Sequence, residues 1–320
     1  MESSTKQENE RLRHFPISFF AIVMGLSGLT IAWKAAGGSI GNYVSLILAG
    51  FTSLVMLVIT VFYALKILRH SDDVKHELKH PIRINFFPAF SISLLLLSVV
   101  WRDFPTVSFT LWGIGAVVQL TLTLYVMSSW IHHTHYSLAH ANPSWFIPVV
   151  GNIIVPISGA ALGYTELSWF FFSIGIIFWL VLLTIVFYRL FFHDPLPDKL
   201  VPMLFILLAP PSVGFVSYTA LVGEIDNFAR IMYYIALFLA MLLTINLKRF
   251  IKLPFFISSW AYSFPVASLT IATAKMGHLT HSSAFAGLSS ILLTVLSVLL
   301  AWLIVRTIKA IKVGAICQPE

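Results

Sequence analysis

Long apolar runs separated by short polar stretches recur along the whole chain, and they are of two kinds that alternate. Ten runs, at about residues 16–36, 43–68, 86–101, 108–131, 145–163, 167–192, 202–222, 228–247, 254–274 and 284–308, are candidates for crossing a bilayer, which takes about 20 apolar residues per helix. The odd runs carry prolines and hydroxyl residues. The even runs carry no proline and read as straight Leu/Ile/Val/Phe helices, such as LSWFFFSIGIIFWLVLLTIVFYRLFF. Two kinds of helix imply two environments.

Pro16 falls in the first run, Pro88 in the third, Pro148 and Pro156 in the fifth, Pro202, Pro210 and Pro211 in the seventh, and Pro254 and Pro265 in the ninth. Pro16, Pro202 and Pro254 suit first-turn positions, where the missing N–H costs nothing. Those deeper in the runs remove a helical hydrogen bond and predict kinks, which a bilayer tolerates where neighbouring helices, water or hydroxyls satisfy the freed carbonyl. The odd runs supply such groups, among them Ser27, Ser91, Asn152, Ser212, Ser263 and Thr270, the candidate pore-lining residues. The expected architecture is all-α: five helical hairpins in a quasi-fivefold ring, with proline-kinked odd helices around a central pathway and even helices facing lipid.

Composition narrows the class further. Hydrophobic residues make up 58% of the chain and charged residues 10%, with a mean hydropathy of +0.89, which fits a polytopic membrane protein and excludes a soluble domain. The short connections predict one transmembrane domain over 1–320, with 1–15 and 309–320 as cytoplasmic terminal segments. Of twenty Lys and Arg, only Lys34, Arg102, Arg230 and Lys275 fall on one side of the expected membrane, leaving sixteen on the other. The positive-inside rule then puts both termini in the cytoplasm and requires an even number of spans, in the cell membrane. The single cysteine, Cys317, excludes an intrachain disulfide.

All thirteen acidic residues lie outside the apolar runs or at their ends. A cation pore calls for acidic rings or carbonyl filters, and ion-coupled transporters usually keep buried ionisable groups. A pathway of hydroxyls and irregular backbone, with no fixed negative charge and a basic mouth, suits a small anion instead. Its partners are then small inorganic anions and the lipid bilayer, with no nucleic acid. A secondary transporter exporting a larger anion is the alternative, and an oxidoreductase using the histidines is a third.

His132, His133, His135 and His140 crowd one loop, and His76 and His80 stand four residues apart in another. No cysteine or carboxylate set completes a metal site around them. There is no phosphate-binding glycine loop, dinucleotide turn or nucleophile elbow, so neither an enzyme nor a cofactor is expected. In the ninth run, SSWAYSFPVASLT, Phe264 stands beside the Pro265 bend, and Phe256, Trp260 and Phe264 recur at every fourth position. A large apolar ring inside a pathway blocks ions by excluding water, which makes Phe264 a candidate gate.

FPISFFAIVMGLSGLTIAW in the first run, HPIRINFFP entering the third, NPSWFIPVVGNIIVPISGA in the fifth, APPSVGFVSY in the seventh and SSWAYSFPVASLT in the ninth together resemble the bacterial tellurite-resistance (TehA) and plant guard-cell slow anion channel family, grouped with dicarboxylate and sulfite exporters. The resemblance spans nearly the whole chain. It implies a homotrimer with one pore per protomer, a ring of five inner helices, and a phenylalanine plug at Phe264. It also implies passive conduction of chloride and nitrate, with export of a dicarboxylate, sulfite or tellurite-related anion as the alternative. Where the family has a glycine near the gate in its first span, this chain has Ala21, and Ser18 stands at another frequent glycine position.

Overall fold

The computed structural model describes residues 11–132 and 136–318. It is all-helical over that range. Twelve α-helices follow in order: α1 (Phe20–Ala36), α2 (Gly38–Arg69), α3 (Ser71–Lys79), α4 (Pro88–Val100), α5 (Pro105–His132), α6 (Ile147–Gly159), α7 (Thr165–Phe192), α8 (Ala209–Val222), α9 (Asn227–Ile245), α10 (Leu247–Ile251), α11 (Ser263–Thr280) and α12 (Ser283–Lys312).

Each helix rich in proline or hydroxyls is entered through a 3-10 segment: Ile17–Phe19 before α1, Arg83–Phe86 before α4, Pro143–Phe146 before α6, Val201–Leu208 before α8 and Ile257–Tyr262 before α11. The partner helices α2, α5, α7, α9 and α12 have no such entry. The change of winding revises the expected kinks. Pro88 is the first residue of α4, Pro148 the second of α6, Pro210 and Pro211 the second and third of α8, and Pro265 the third of α11. Their missing N–H groups fall where 3-10 winding gives way to α winding, in a first turn that leaves such donors unused. Pro156 alone lies inside an α-helix, where it deprives the Asn152 carbonyl of its helical donor. A second correction concerns the proline-free helices, because α5 begins at Pro105, a residue assigned from sequence to a loop. At a helix start it interrupts nothing.

Packing sorts the helices into the same two sets. The α1 helix packs on α4, α4 on α6, α6 on α8, α8 on α11, and α11 returns to α1. The five 3-10 segments close on one another in the same cyclic order. Each member packs on its hairpin partner: α1 on α2, α4 on α5, α6 on α7, α8 on α9 and α11 on α12. Among the described residues, eight helical segments are long and apolar enough to cross a membrane. Among them, three of the proline-rich set have 67–83% of their most apolar window buried, against 22–39% for the five partners. The partners expose rows of large apolar side chains, such as Leu54, Leu57 and Phe62 on α2 or Ile291, Val295 and Val298 on α12, a surface that suits hydrocarbon. Pro143–Gly159 is a shorter apolar helix, and α11 carries Lys275 and His278 near its end.

The beginning and end of the described chain meet at the side where the 3-10 segments lie. Gly314 packs beside the Arg11 guanidinium, and Cys317 joins the apolar cluster around Phe19 and Tyr63, where burial pushes its thiol up to about 11. Beside it, Lys66 at the end of α2 is 1% exposed. Its Nζ donates to Glu77 Oε1 at 2.9 Å and to the Phe15 carbonyl at 2.8 Å, and Tyr63 donates to Glu77 Oε2 at 2.9 Å. This buried pair fastens α2, α3 and the approach to α1 together. Removing one partner strands the other charge, at a cost of about 3–5 kcal/mol, whereas replacing both with apolar residues of similar size is often neutral. Lys66→Met therefore lowers the unfolding midpoint in detergent well below that of Lys66→Met/Glu77→Leu. Equal losses in the two variants contradict the assignment of this ion pair.

Candidate functional site: an apolar cavity bordered by Phe264

Where α1 meets α11, both helices present small residues. A Cβ on Gly25 would lie 2.2 Å from Ser263 Oγ, and one on Gly28 would lie 2.6 Å from Ala267 Cβ and 3.6 Å from Phe264 Cδ2. Bare backbone on α1 thus lets α11 approach closely and seats the Phe264 ring against Gly28, the kind of contact by which small residues bring membrane helices together.

The ring is nearly buried and borders a cavity of about 50 Å³. All five members of the helix ring reach this one space. Ala21 and Met24 come from α1; Phe86, Ala89 and Ile92 from α4 and its 3-10 entry; Ile147 and Val150 from α6; Ile206 and Ala209 from α8 and its entry; Trp260, Ala261, Phe264 and Pro265 from α11 and its entry. Every lining residue is apolar, apart from the indole nitrogen of Trp260, which is turned away to donate to Thr307 Oγ1 at 2.9 Å. Water and ions find no partner on these walls.

Three residues singled out from sequence, Ala21, Phe264 and Pro265, come together here. The others lie elsewhere. Ser212, Ser263 and Thr270 donate to carbonyls one turn back, at Leu208, Trp260 and Val266. Ser91 donates to the Pro88 carbonyl and to Gln119 Oε1 on α5. Gln119 Nε2 and Thr123 Oγ1 of α5 donate to the Pro148 carbonyl, and Asn152 Nδ2 of α6 does the same, so side chains of α5 are tied to the backbone of α6. Ser27 Oγ and Asn152 Oδ1 are buried without a partner among the described residues. Pro88, Pro148, Pro156, Pro210 and Pro211 are absent from the cavity wall, although Pro88, Pro148 and Pro210 each adjoin a residue that forms it.

The Phe256, Trp260, Phe264 spacing does not make one aromatic stripe. Ile257–Tyr262 is wound as a 3-10 helix, and Phe256 does not reach the cavity. Ala89, Ile147, Val150, Ile206 and Ala209 went unremarked in the sequence because nothing distinguishes a small or aliphatic residue facing a pathway from one facing a neighbour. Their shared register one turn around each 3-10 junction is the signal that would have found them. His133 and His135 lie outside the described residues. Among the described residues no group of histidine, cysteine and carboxylate side chains could hold a metal; His132 and His140 instead contact backbone or Ser128 and Ser137 close by in sequence.

A bundle of apolar helices with a proline-rich ring inside and a lipid-suited jacket outside defines a multi-pass membrane protein with a central apolar closure. The family profile of the SLAC1 voltage-dependent anion channels matches residues 14–308, and the chain belongs to that family. It is 30% identical over 310 residues to the S-type anion channel SLAH3 of Arabidopsis thaliana, covering 93% of this chain and 48% of that protein. It is 29% identical over 277 residues to the guard cell S-type anion channel SLAC1 of the same plant, covering 82% and 50%. The chain thus spans about half the length of these plant relatives. The tellurite resistance protein TehA homolog of Haemophilus influenzae is 26% identical over 305 residues, covering 93% of this chain and 92% of that one.

The close approach of α1 and α11 has a direct test. Gly25→Ala forces its methyl into Ser263 and lowers the detergent unfolding midpoint, whereas Gly50→Ala on α2, which meets nothing within 4 Å, leaves it unchanged or higher. A tolerated Gly25→Ala contradicts the seating of Phe264 on α1.

Proposed function

We propose that the protein is a passive channel for small monovalent anions such as chloride and nitrate, closed at rest by Phe264. The observation that carries this reading is an apolar cavity bordered by all five proline-rich helices, with the Phe264 ring in its wall. Its closure needs no bond to be broken. An ion meeting the cavity would have to shed water against apolar walls, which is the cost that holds it back; a rotation of one aromatic ring lowers that cost. Once open, the transmembrane potential supplies about 2.3 kcal/mol per charge per 100 mV.

The closed cycle of contacts supports a ten-helix, quasi-fivefold ring in which α6 and α11 also span the membrane. The adjacency of Arg11 and Gly314 supports an even number of spans with both termini on one side. The lysine and arginine bias assigns that side to the cytoplasm. Because the matched plant relatives are anion channels by name, the preference for anions is the natural reading of a pathway without carboxylates. The quaternary structure that goes with this reading is a homotrimer with one pathway in each protomer.

An alternating-access exporter of a dicarboxylate, sulfite or tellurite-related anion is the competing reading. What favours it is the match to a tellurite resistance protein homolog over 93% of this chain.

In oocytes or planar bilayers, Phe264→Ala raises the anion current well above wild type, and Ala21→Gly raises it by a smaller factor. An unchanged current at normal surface expression overturns the gate. Saturable flux that disappears when the proton gradient is collapsed, without current, identifies the exporter instead. Cross-linking of membranes yields a species of three chains; a monomer alone contradicts the trimer.

A further inference from the structure

Lys275 counted in the sequence only as one of four cations opposing the positive-inside side. Its position in the fold is more particular. It lies eleven residues beyond Phe264 on α11, and eleven steps of about 100° bring it within about 20° of the same helix face, about 16 Å further along. Its Nζ donates to the Val216 carbonyl on α8 at 3.2 Å. Val216 follows Ala209, a cavity-wall residue, by seven positions, again within about 20° of the same face. The ammonium therefore sits between α8 and α11 on the sides that the two helices turn to the cavity, at the end of the ring away from the chain termini.

The charge has no acidic partner. None of the ion pairs among the described residues involves Lys275. Asp103, one residue beyond Arg102, is taken by Lys34 at the end of α1. The group whose charge acts on Lys275 is another cation, Arg102, at the end of α4. The half-buried ammonium thus has a single hydrogen bond, to the Val216 carbonyl, and feels the charge of a second cation. An ammonium has three donors, so an arriving anion would find free N–H groups and a positive potential concentrated by low-dielectric walls. A structural lysine would be expected to have the carboxylate that Lys66 has.

We infer that Lys275 forms an anion-binding site at the mouth of the helix ring opposite the chain termini, which takes a small monovalent inorganic anion such as chloride or nitrate. The site rests on the reading of the ring as an anion pathway and adds to it a resting place beyond the Phe264 closure. The Val216 carbonyl holds the ammonium in place, and Arg102 opposes a second cation while adding to the attraction for an anion. Because the contact is one flexible ammonium and its neighbour, binding is weak enough to release the ion, as conduction requires.

The test combines binding with conduction, using full-length protein. In detergent at constant ionic strength, nitrate in place of gluconate raises the unfolding midpoint of the wild type by mass action. Lys275→Gln abolishes that shift, Lys275→Arg keeps it, and Lys34→Gln keeps it. In the Phe264→Ala background, Lys275→Glu cuts the anion current several-fold and raises the nitrate concentration for half-maximal current, while Lys275→Arg does neither. A nitrate shift equal in wild type and Lys275→Gln overturns the site, whatever the current does. If the shift depends on Lys275 but Phe264→Ala carries no current, the site stands and the gate fails. A conducting Phe264→Ala channel whose current and half-saturation ignore Lys275→Glu also overturns the site.

Discussion

The structure depends on one constraint: in hydrocarbon, every backbone N–H and C=O has to find its partner within the protein. Proline denies a donor to the helix, so a helix carrying it near mid-bilayer cannot face lipid on all sides. The chain satisfies the constraint by giving each such helix a regular partner beside it and a 3-10 entry in front of it. The seam between α5 and α6 shows backbone served by a partner helix, because Gln119 and Thr123 of α5 donate to the Pro148 carbonyl. Straight helices form the jacket, and the ones that need help form the ring.

That division also accounts for the site. Five 3-10 segments bring small and aliphatic residues, from Ala21 to Ala261, to one level of the ring, and several hydroxyls of the same helices bond backbone instead of lining it. The hydroxyls of Ser212, Ser263 and Thr270 turn back onto their own helices. What faces inward at that level is apolar, with the Phe264 ring part of the wall. On the proposed reading, a wall without fixed charge would block ions by the cost of dehydration without specifying which ion. Any preference in sign would then come from the charges at the ends, where Asp103 is paired with Lys34.

Much of this was legible in the sequence for physical reasons. Proline and long aliphatic runs are strong signals, so the alternation of two helix kinds, and the hairpin pairing that follows, could be read before any coordinates. Phe264 stood out because it adjoins Pro265. The winding was not legible: nothing in VPMLFILLAPP distinguishes a kinked α-helix from a 3-10 segment leading into an α-helix, since proline is compatible with both. The amphipathic α3 and its buried Glu77 were hidden for a related reason, because SDDVKHELK reads as a polar loop until Lys66 and Tyr63 are brought against it. Lys275 was visible only as a charge, and its place on the Phe264 face became apparent once α11 was known to run unbroken to Thr280.

The most direct test of a pathway closed at Phe264 is whether a small charged reagent can pass that level. With Cys317 replaced by serine, a cysteine at Ser268, one turn beyond Phe264, is challenged with an anionic thiol reagent from the side of the chain termini. The account predicts no labelling while Phe264 is present and rapid labelling in Phe264→Ala. Labelling at the same rate in both, or in neither, would contradict it.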